Sequence, residues 1–552
     1  MEGNLSDAIA EIREIVGEGN VVADEATIVD RTKDISLWHR RGAAVVYPGT
    51  AEEVCGVMKI AAKRKLPVWP FSKGKNWGYG ATMPFRDGAL ILVLERMNRI
   101  IEVNQELAYA VVEPGVTQKQ LNDYLKSNHI PLWADCTDST PQGSIVGNAL
   151  ERGVGYTRYW DHFDHLCGLE VILANGDSIH TGGGPHNSLT WHTHKWGTGP
   201  FIEGLFSQSN FGVVVRAGIW LMPEPEAFNC FICELRDEAN FSRIVDALRR
   251  LALTGILPAN FHIVSDLLFT AQLMQYPYDL LDGGRYLSIE ARIKLRERIK
   301  MASWTVIGGL YGSTAQVKAA RGAISSELGR FGKLTFLNDS KLRLLRGMTH
   351  VWKRVRNLPL LPNLFRMISG SSLEKAEAIP HLYPILKGIP GEYIVGFAYF
   401  KNRGPRPTVD VDPARDGAGM LWLAALCPMT GKHTSDLLKL CEPVFHKHGF
   451  DMSLAFLMIN ARSVLALMEI FFDKRNPDEE KRALALYDEI TETTMRAGFQ
   501  QYRTSVSYSD RIMQPAADLQ KLLDAMRYAI DPNNLIAPGR YGIGLLREGS
   551  GE

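Results

Sequence analysis

Between Pro70 and Tyr156 the chain carries four glycine clusters: PFSKGKNWGYG (70–80), VEPGV (112–116), GSIVGN (143–148) and RGVGY (152–156). Glycine lets backbone N–H groups turn toward a ligand with no side chain in the way. The first cluster follows the apolar run LPVW and places Gly74, Gly78 and Gly80, yet it matches neither GxxxxGK[ST] nor a full GxGxxG. A P-loop and a Rossmann site are therefore unsupported, and standing alone this stretch reads as a tight turn. Several such loops in succession suit the cradling of one long ligand.

A chain of 552 residues exceeds what one hydrophobic core usually serves, so two large lobes are expected. From Arg41 to Pro225 short apolar segments such as ALILVL and AYAVVEPG alternate with glycine turns and brief helices, a pattern of α+β sheet domains. From Glu226 to Gly498 longer helical periodicities such as FSRIVDALRRLAL are interleaved with strand-like runs, among them GEYIVGFAYF. Residues 401–418, rich in Pro, Asp and Gly, read as a long loop. The tail 499–552 carries DPNNLIAPGRYG and is expected to rejoin the first lobe. Domains of 1–225 and 226–498 with a returning tail of 499–552 follow.

Lys and Arg total 62 against 61 Asp and Glu, leaving no basic field to draw nucleic acid or an anionic membrane. The opening MEGNLSDAIAEIREIVG is an acidic amphipathic helix without a secretory pattern, and no long apolar run follows, so a cytoplasmic protein is expected. Seven cysteines, an odd and scattered set, argue against a disulfide framework. Cys230 and Cys233 form a CxxC inside the strand-like FNCFICEL with no second ligand pair nearby, and read as buried thiols. His162, His165, His192 and His194 lack a completing carboxylate or cysteine set, so no metal is expected.

The ordered motifs GKNWGYG, VEPGVT, GNALERGVGYTRYWDH, LEVILANGD, GLFSQSNFGVV, GIWLMPEP, QYRT and DPNNLIAPGR make the sequence resemble the vanillyl-alcohol oxidase and para-cresol methylhydroxylase (4-cresol dehydrogenase) family of flavoproteins over nearly its whole length. The resemblance implies an α+β fold, with an FAD-binding domain of the para-cresol methylhydroxylase type and an α+β cap domain that binds substrate. It places the FAD against Ser72, Gly74, Lys75, Asn76, Gly78, Pro114, Gly115, Gly143, Ser144, Gly147, Asn148, Gly153, Tyr156 and Val213. It brings Arg540 toward the flavin, where a cation opposite the charge developing on reduction needs little reorganisation. It also implies a homodimer and allows a cytochrome partner, for which no residue here speaks.

Tyr79, Tyr502 and Arg503 match the family positions that bind the phenolic oxygen of a substrate. Two hydroxyl donors and a permanent guanidinium favour the phenolate of a group whose pKa is ordinarily about 10, and the electron-rich ring can then expel a benzylic hydride. The expected activity is FAD-dependent oxidation of small para-substituted, lignin-type phenols through a quinone methide. A flavin-dependent carbon–carbon lyase releasing formaldehyde from phenolic aryl-propanes is the alternative.

Three departures from the family qualify that picture. The stretch DVDPARDGAGMLWLAAL has neither His nor Tyr for a covalent flavin link, its counterparts being Met420 or a residue near Asp412, so noncovalent FAD is expected. Where the family's oxidases carry an acid, this chain has Ser139 with Asp138 beside it. Where hydroxylating members carry a Glu and two His, it has Ala455, Val464 and Leu465, read as an apolar pocket wall with Asn460 and Arg462 as the nearest polar groups. Losing a general base removes a factor of ~10² to 10⁴ from water addition.

Overall fold

The structure, a computed structural model, describes residues 2–80, 82–186, 188–355, 373–407 and 411–545. These fall into two compact units: one from Met1–Val154, Asp161–Pro223 and Arg503–Glu552, the other from Gly155–Trp160 and Glu224–Tyr502. The short piece 155–160 thus groups with the second unit, and the chain returns to the first between Tyr502 and Arg503.

The first unit contains β1 (Val21–Val22), β2 (Gly42–Val46), β3 (Val68–Phe71), β4 (Ala89–Val93), β5 (Ile100–Asn104), β6 (Tyr109–Val112), β7 (Leu132–Trp133), β8 (Leu166–Ile172), β9 (Ser178–His180), β10 (Val213–Trp220) and β11 (Met222–Pro223). One sheet runs β1-β2-β4-β3, with β4 parallel to both of its neighbours. Such a central parallel strand is covered on both faces, which is why ALILV is apolar at every position and buried throughout. The crossover helix Ala51–Arg64 starts on Thr50, whose side chain accepts from Glu53 N, and buries Val54, Val57, Met58 and Ala61. The second sheet is antiparallel, in the order β5-β6-β10-β8-β9. The tail joins the first sheet through β3, where Val68 N donates to Leu535 O and Ala537 N to Val68 O.

The second unit holds one antiparallel sheet of eight strands: β12 (Ala227–Leu235), β13 (Phe261–Ser265), β14 (Trp304–Gly312), β15 (Gly332–Leu337), β16 (Gly419–Pro428), β17 (Ser453–Asn460), β18 (Ser463–Phe472) and β19 (Gln501–Arg503). Their order is β15-β12-β14-β13-β17-β18-β16-β19. Helices Phe241–Leu253, Gly431–Lys447 and Pro477–Arg496 pack together beside it, and Phe241 meets Phe456 of β17 at 5.7 Å between ring centroids. The chain is thus α+β, as its sequence predicts.

One local expectation fails. GEYIVGFAYF is no strand: Tyr393–Tyr399 forms a 3₁₀ helix whose Phe397 packs on Trp422 and Phe471. An unbroken apolar run carries neither a helical nor a strand period, so burial and not pattern decided its form. All seven cysteines are free thiols, and burial pushes Cys230 up to about 12 and Cys233 up to about 11. Among the described residues no helix is long and apolar enough to cross a membrane, and no group of His, Cys, Asp or Glu could hold a metal ion.

Candidate active site

In the first unit the glycine loops converge on the short helix Ile145–Leu150. Ser144 caps it, its hydroxyl accepting from Gly147 N at 2.8 Å and donating to Pro114 O at 2.6 Å, which ties the third cluster to the second. Ser72 of the first cluster lies so close that a Cβ on Gly147 would come within 2.9 Å of its Oγ. Ser139 donates to Lys75 O at 3.3 Å, and Gly143 O accepts from Gln118 N. Gly74 and Gly78 have φ of 64° and 78°, a conformation that favours glycine. At Gly153 a Cβ would fall 1.8 Å from Asn148 Oδ1, so a side chain there would displace the Asn148 amide. Asn148 Oδ1 in turn meets His162 Nδ1 at 2.5 Å, and His162 Nε2 lies 3.5 Å from Asp135. Val213 opens β10 and is buried.

The structure therefore gathers into one set of loops the residues from Ser72 to Gly78, Pro114 and Gly115, Gly143 to Asn148, and Gly153. These loops present backbone at close quarters with Lys75 beside them, which fits a long phosphate-bearing cofactor such as FAD.

A cationic group adjoins these loops. Arg540 forms an ion pair with Glu151 and lies over the Trp69 ring at 5.3 Å. Tyr541 donates to the other Glu151 oxygen at 3.1 Å and holds the left-handed φ of 51°, a strain of about 1 to 3 kcal/mol for a non-glycine residue. Burial raises the pKa of its phenol, opposed by Arg540, Arg503 and Arg152 and reinforced by Tyr79. Glu151, Arg152 and Tyr541 were missed from sequence. They adjoin GNAL and APGR, but charged turn residues carry no period that would single them out.

Tyr79 is buried, and Val506 N donates to its carbonyl at 2.9 Å. That bond brings the returning tail alongside. The Arg503 guanidinium lies 5.1 Å from the Tyr79 ring centre and donates from Nη1 to Asn76 Oδ1 at 3.1 Å. Its Nε is buried without a hydrogen-bond partner among the described residues. Such an orphan donor costs about 1 to 3 kcal/mol unless a ligand accepts from it.

In the second unit the register sorts the cap residues by face. Ala455 pairs with Leu467 and Leu457 with Leu465, so Ala455 and Leu465 share one face, together with His262 and Val264 of β13. Val464, adjacent to Leu465, points to the opposite face, so the three expected positions do not form a single wall. Asn460 and Arg462 stand in the exposed β17–β18 turn, where Arg462 N donates to Asn460 Oδ1. They face solvent because the turn needs polar groups. The Ala455 face also carries Trp422 and the buried Glu469, which accepts from Ser453 Oγ at 3.4 Å. Tyr156 stacks on His262 at 4.5 Å and 15°, and Asn260 Nδ2 donates to Gly155 O, fastening 155–160 to this side of the sheet. Sequence reading missed His262 and Glu469 because alternation in a strand does not say which face is functional.

Tyr502 lies on β19, at the sheet edge next to β16. Met420 is buried in β16 and its sulfur contacts Trp422 Nε1 at 2.8 Å. Asp412 N donates to Asp416 at 3.3 Å, while residues 408–410 lie outside the described residues. Asp138 accepts from Thr137 Oγ1 at 3.1 Å. His165 and His192 each contact a backbone carbonyl through Nδ1, and burial lowers both pKa values.

A family described as FAD binding domain matches residues 42–182, the segment that carries all four glycine clusters. The chain is 31% identical over 552 residues to the 4-cresol dehydrogenase [hydroxylating] flavoprotein subunit of Pseudomonas putida, spanning 99% of this chain and 96% of the relative. It belongs to the vanillyl-alcohol oxidase and para-cresol methylhydroxylase family. As a member it is an FAD-dependent oxidoreductase with FAD as its cofactor. It is also 34% identical to the 1'-carboxy-chondrochloren decarboxylase of Chondromyces crocatus, over 97% of each chain. The solved 4-ethylphenol oxidase of Gulosibacter chungangensis, in an isoeugenol complex, superimposes with a TM-score of 0.86 at 27% identity, over 98% of each chain.

Proposed function

We propose that this enzyme oxidises para-substituted phenols by removing a benzylic hydride from the bound phenolate. The observation that carries the reading is Arg503, a half-buried cation against Tyr79 and Asn76 whose buried Nε has no hydrogen-bond partner among the described residues. Arg503, Tyr79 and the adjacent Tyr502 hold the phenolic oxygen as an anion, and the charge pushed into the ring weakens the benzylic C–H bond. FAD, when bound by the glycine loops and Arg540, supplies the hydride acceptor. The substrate leaves this step as a para-quinone methide. The Pseudomonas relative named for 4-cresol and the Gulosibacter oxidase named for 4-ethylphenol support this substrate class.

A second reading concerns the fate of that intermediate. One relative is named as a decarboxylase, an enzyme that breaks a carbon–carbon bond. Loss of a side-chain hydroxymethyl group as formaldehyde is the corresponding lyase outcome here. Residues 1–225 with the tail 499–552 serve as FAD domain and 226–498 as cap, and the enzyme acts as a homodimer. Met420 and Asp412 form no histidyl or tyrosyl link, so the flavin is noncovalent. Acid precipitation should release the yellow chromophore into the supernatant; flavin in the pellet would show a covalent bond.

Anaerobic mixing with a panel of para-alkylphenols and phenolic aryl-propanes tests the function. Flavin bleaching with a phenol panel member is expected, and no bleaching or product with any of them removes the proposal. Formaldehyde released in step with flavin bleaching selects carbon–carbon cleavage of the intermediate, whereas bleaching with a hydroxylated or vinyl product and no formaldehyde selects simple oxidation.

A further inference from the structure

Asn148 sits among the glycine loops, on the short helix Ile145–Leu150, and its side-chain amide has two unlike ends: Oδ1 accepts a hydrogen bond and Nδ2 donates. Which end is turned to the cofactor matters. FAD offers its surroundings mainly acceptors, the phosphate oxygens and the ring carbonyls, so an amine facing it binds and a carbonyl facing it repels.

Two side chains behind Asn148 settle the orientation. Asn148 Oδ1 meets His162 Nδ1 at 2.5 Å, and because a carbonyl oxygen only accepts, the ring donates from Nδ1. On the far side of the ring Asp135 Oδ2 lies 3.5 Å from Nε2, while Asp135 Oδ1 accepts from Cys136 N at 2.8 Å. The ring thus stands between an amide and an anchored carboxylate, 12% exposed against 3% for Asp135. The backbone repeats the arrangement. Val154 bridges Asp161, His162 N donates to Gly153 O at 3.4 Å, and Gly153 N donates to Asn148 O at 2.8 Å. Gly153 supplies the room, since an added Cβ would lie 2.3 Å from Asn148 Nδ2. That nitrogen makes no hydrogen bond among the described residues and Asn148 is half-buried, so its two hydrogens are left to a ligand of the loops.

We infer that His162 is a positioning residue: backed by Asp135, it turns the Asn148 amine toward the FAD and so sets how tightly the cofactor is held. A group that orients a binding side chain acts on affinity through that side chain, and its effect vanishes when the side chain is removed. The inference rests on the noncovalent flavin proposed above.

Dilution of the flavin-loaded enzyme, with released FAD read by its fluorescence, measures the dissociation constant. His162→Ala should raise it about 10- to 30-fold, the loss expected when one hydrogen bond to the cofactor is no longer aimed. His162→Asn, whose amide nitrogen takes the place of Nδ1, should stay within about 3-fold of the wild type. Asn148→Asp keeps the oxygen that His162 meets but puts a second oxygen where the amine was, and should weaken FAD about 100-fold. In an Asn148→Ala background, His162→Ala should change the constant by no more than about 2-fold. Losses that add in full would make His162 a structural residue and overturn the inference. So would a His162→Asn enzyme that holds FAD no better than His162→Ala, or an Asn148→Asp enzyme with wild-type affinity. These last two variants alter single groups at the contact, and they carry the test even where the alanine does not fold. Flavin that stays in the pellet after acid would take down the noncovalent reading and this inference with it, whereas flavin released by acid together with additive losses takes down this one alone.

Discussion

Replacing Arg503 with alanine should slow substrate-dependent flavin reduction by about 100- to 1,000-fold while leaving the fold intact. The size follows from what the guanidinium does. It is the fixed positive charge beside Tyr79, and removing one partner of a half-buried charge pair costs about 3 to 4 kcal/mol, the lower part of the range for buried pairs and two to three decades in rate where the charge is needed in the transition state. The fold has less at stake. Among the described residues Arg503 makes one side-chain hydrogen bond, to Asn76, and its Nε has no partner. The apparent melting temperature should therefore shift by only about 2 °C. Arg503→Lys keeps the charge but loses the planar fork, and should fall between the two. Stopped-flow absorbance under anaerobic conditions measures the rate, and a thermal scan of the same samples measures the fold. An alanine variant that reduces its flavin at the wild-type rate would take Arg503 out of the site.

Much of this site was legible because backbone geometry leaves a mark on sequence. A loop that needs φ of 64° or 78° selects glycine at Gly74 and Gly78, and a contact as close as Gly153 on Asn148 selects it again, so the cradle is visible before any coordinate is known. The parallel strand β4 shows itself equally plainly, as a run with no polar residue. What stayed hidden depends on facing and on partners. Val464 and Leu465 are neighbours in sequence and lie on opposite sides of β18, a distinction that requires the register with β17. His262 and Glu469 look like isolated polar residues in apolar strands until Tyr156 and Ser453 are found against them. The grouping of 155–160 with the second unit rests on contacts such as Asn260 to Gly155 O, across a sequence separation that no local pattern encodes. The run GEYIVGFAYF hid its form for the opposite reason, since an apolar stretch buried on all sides has no period to read.

O-methylated substrates should fail, and this is the expectation that bears most directly on the chemistry. Methylation removes the ionisable proton, so the ring has no anionic charge to push toward the benzylic carbon, and hydride loss must then proceed from a neutral ring. The methyl group also changes what the protein meets. The Arg503 Nε has no partner among the described residues, and an ether oxygen accepts from it far more weakly than a phenolate does. Each buried donor left unsatisfied costs about 1 to 3 kcal/mol, so binding weakens as well. A site built to hydrogen-bond a hydroxyl rejects an analogue lacking it by about 10⁴-fold or more where such losses compound, and the electronic loss acts in the same direction. The comparison is a matched pair, a para-alkylphenol and its methyl ether, followed by flavin absorbance without oxygen over a range of concentrations. The phenol should bleach the flavin and the ether should leave it oxidised on the same timescale. The Arg503→Ala enzyme adds a second axis. Because the two changes remove the same interaction from opposite sides, the ether should lose little more in the variant than it has already lost in the wild type. Equal reduction rates for phenol and ether in the wild type would end the phenolate mechanism, and full additivity of the two losses would mean that Arg503 acts on something other than the phenolic oxygen.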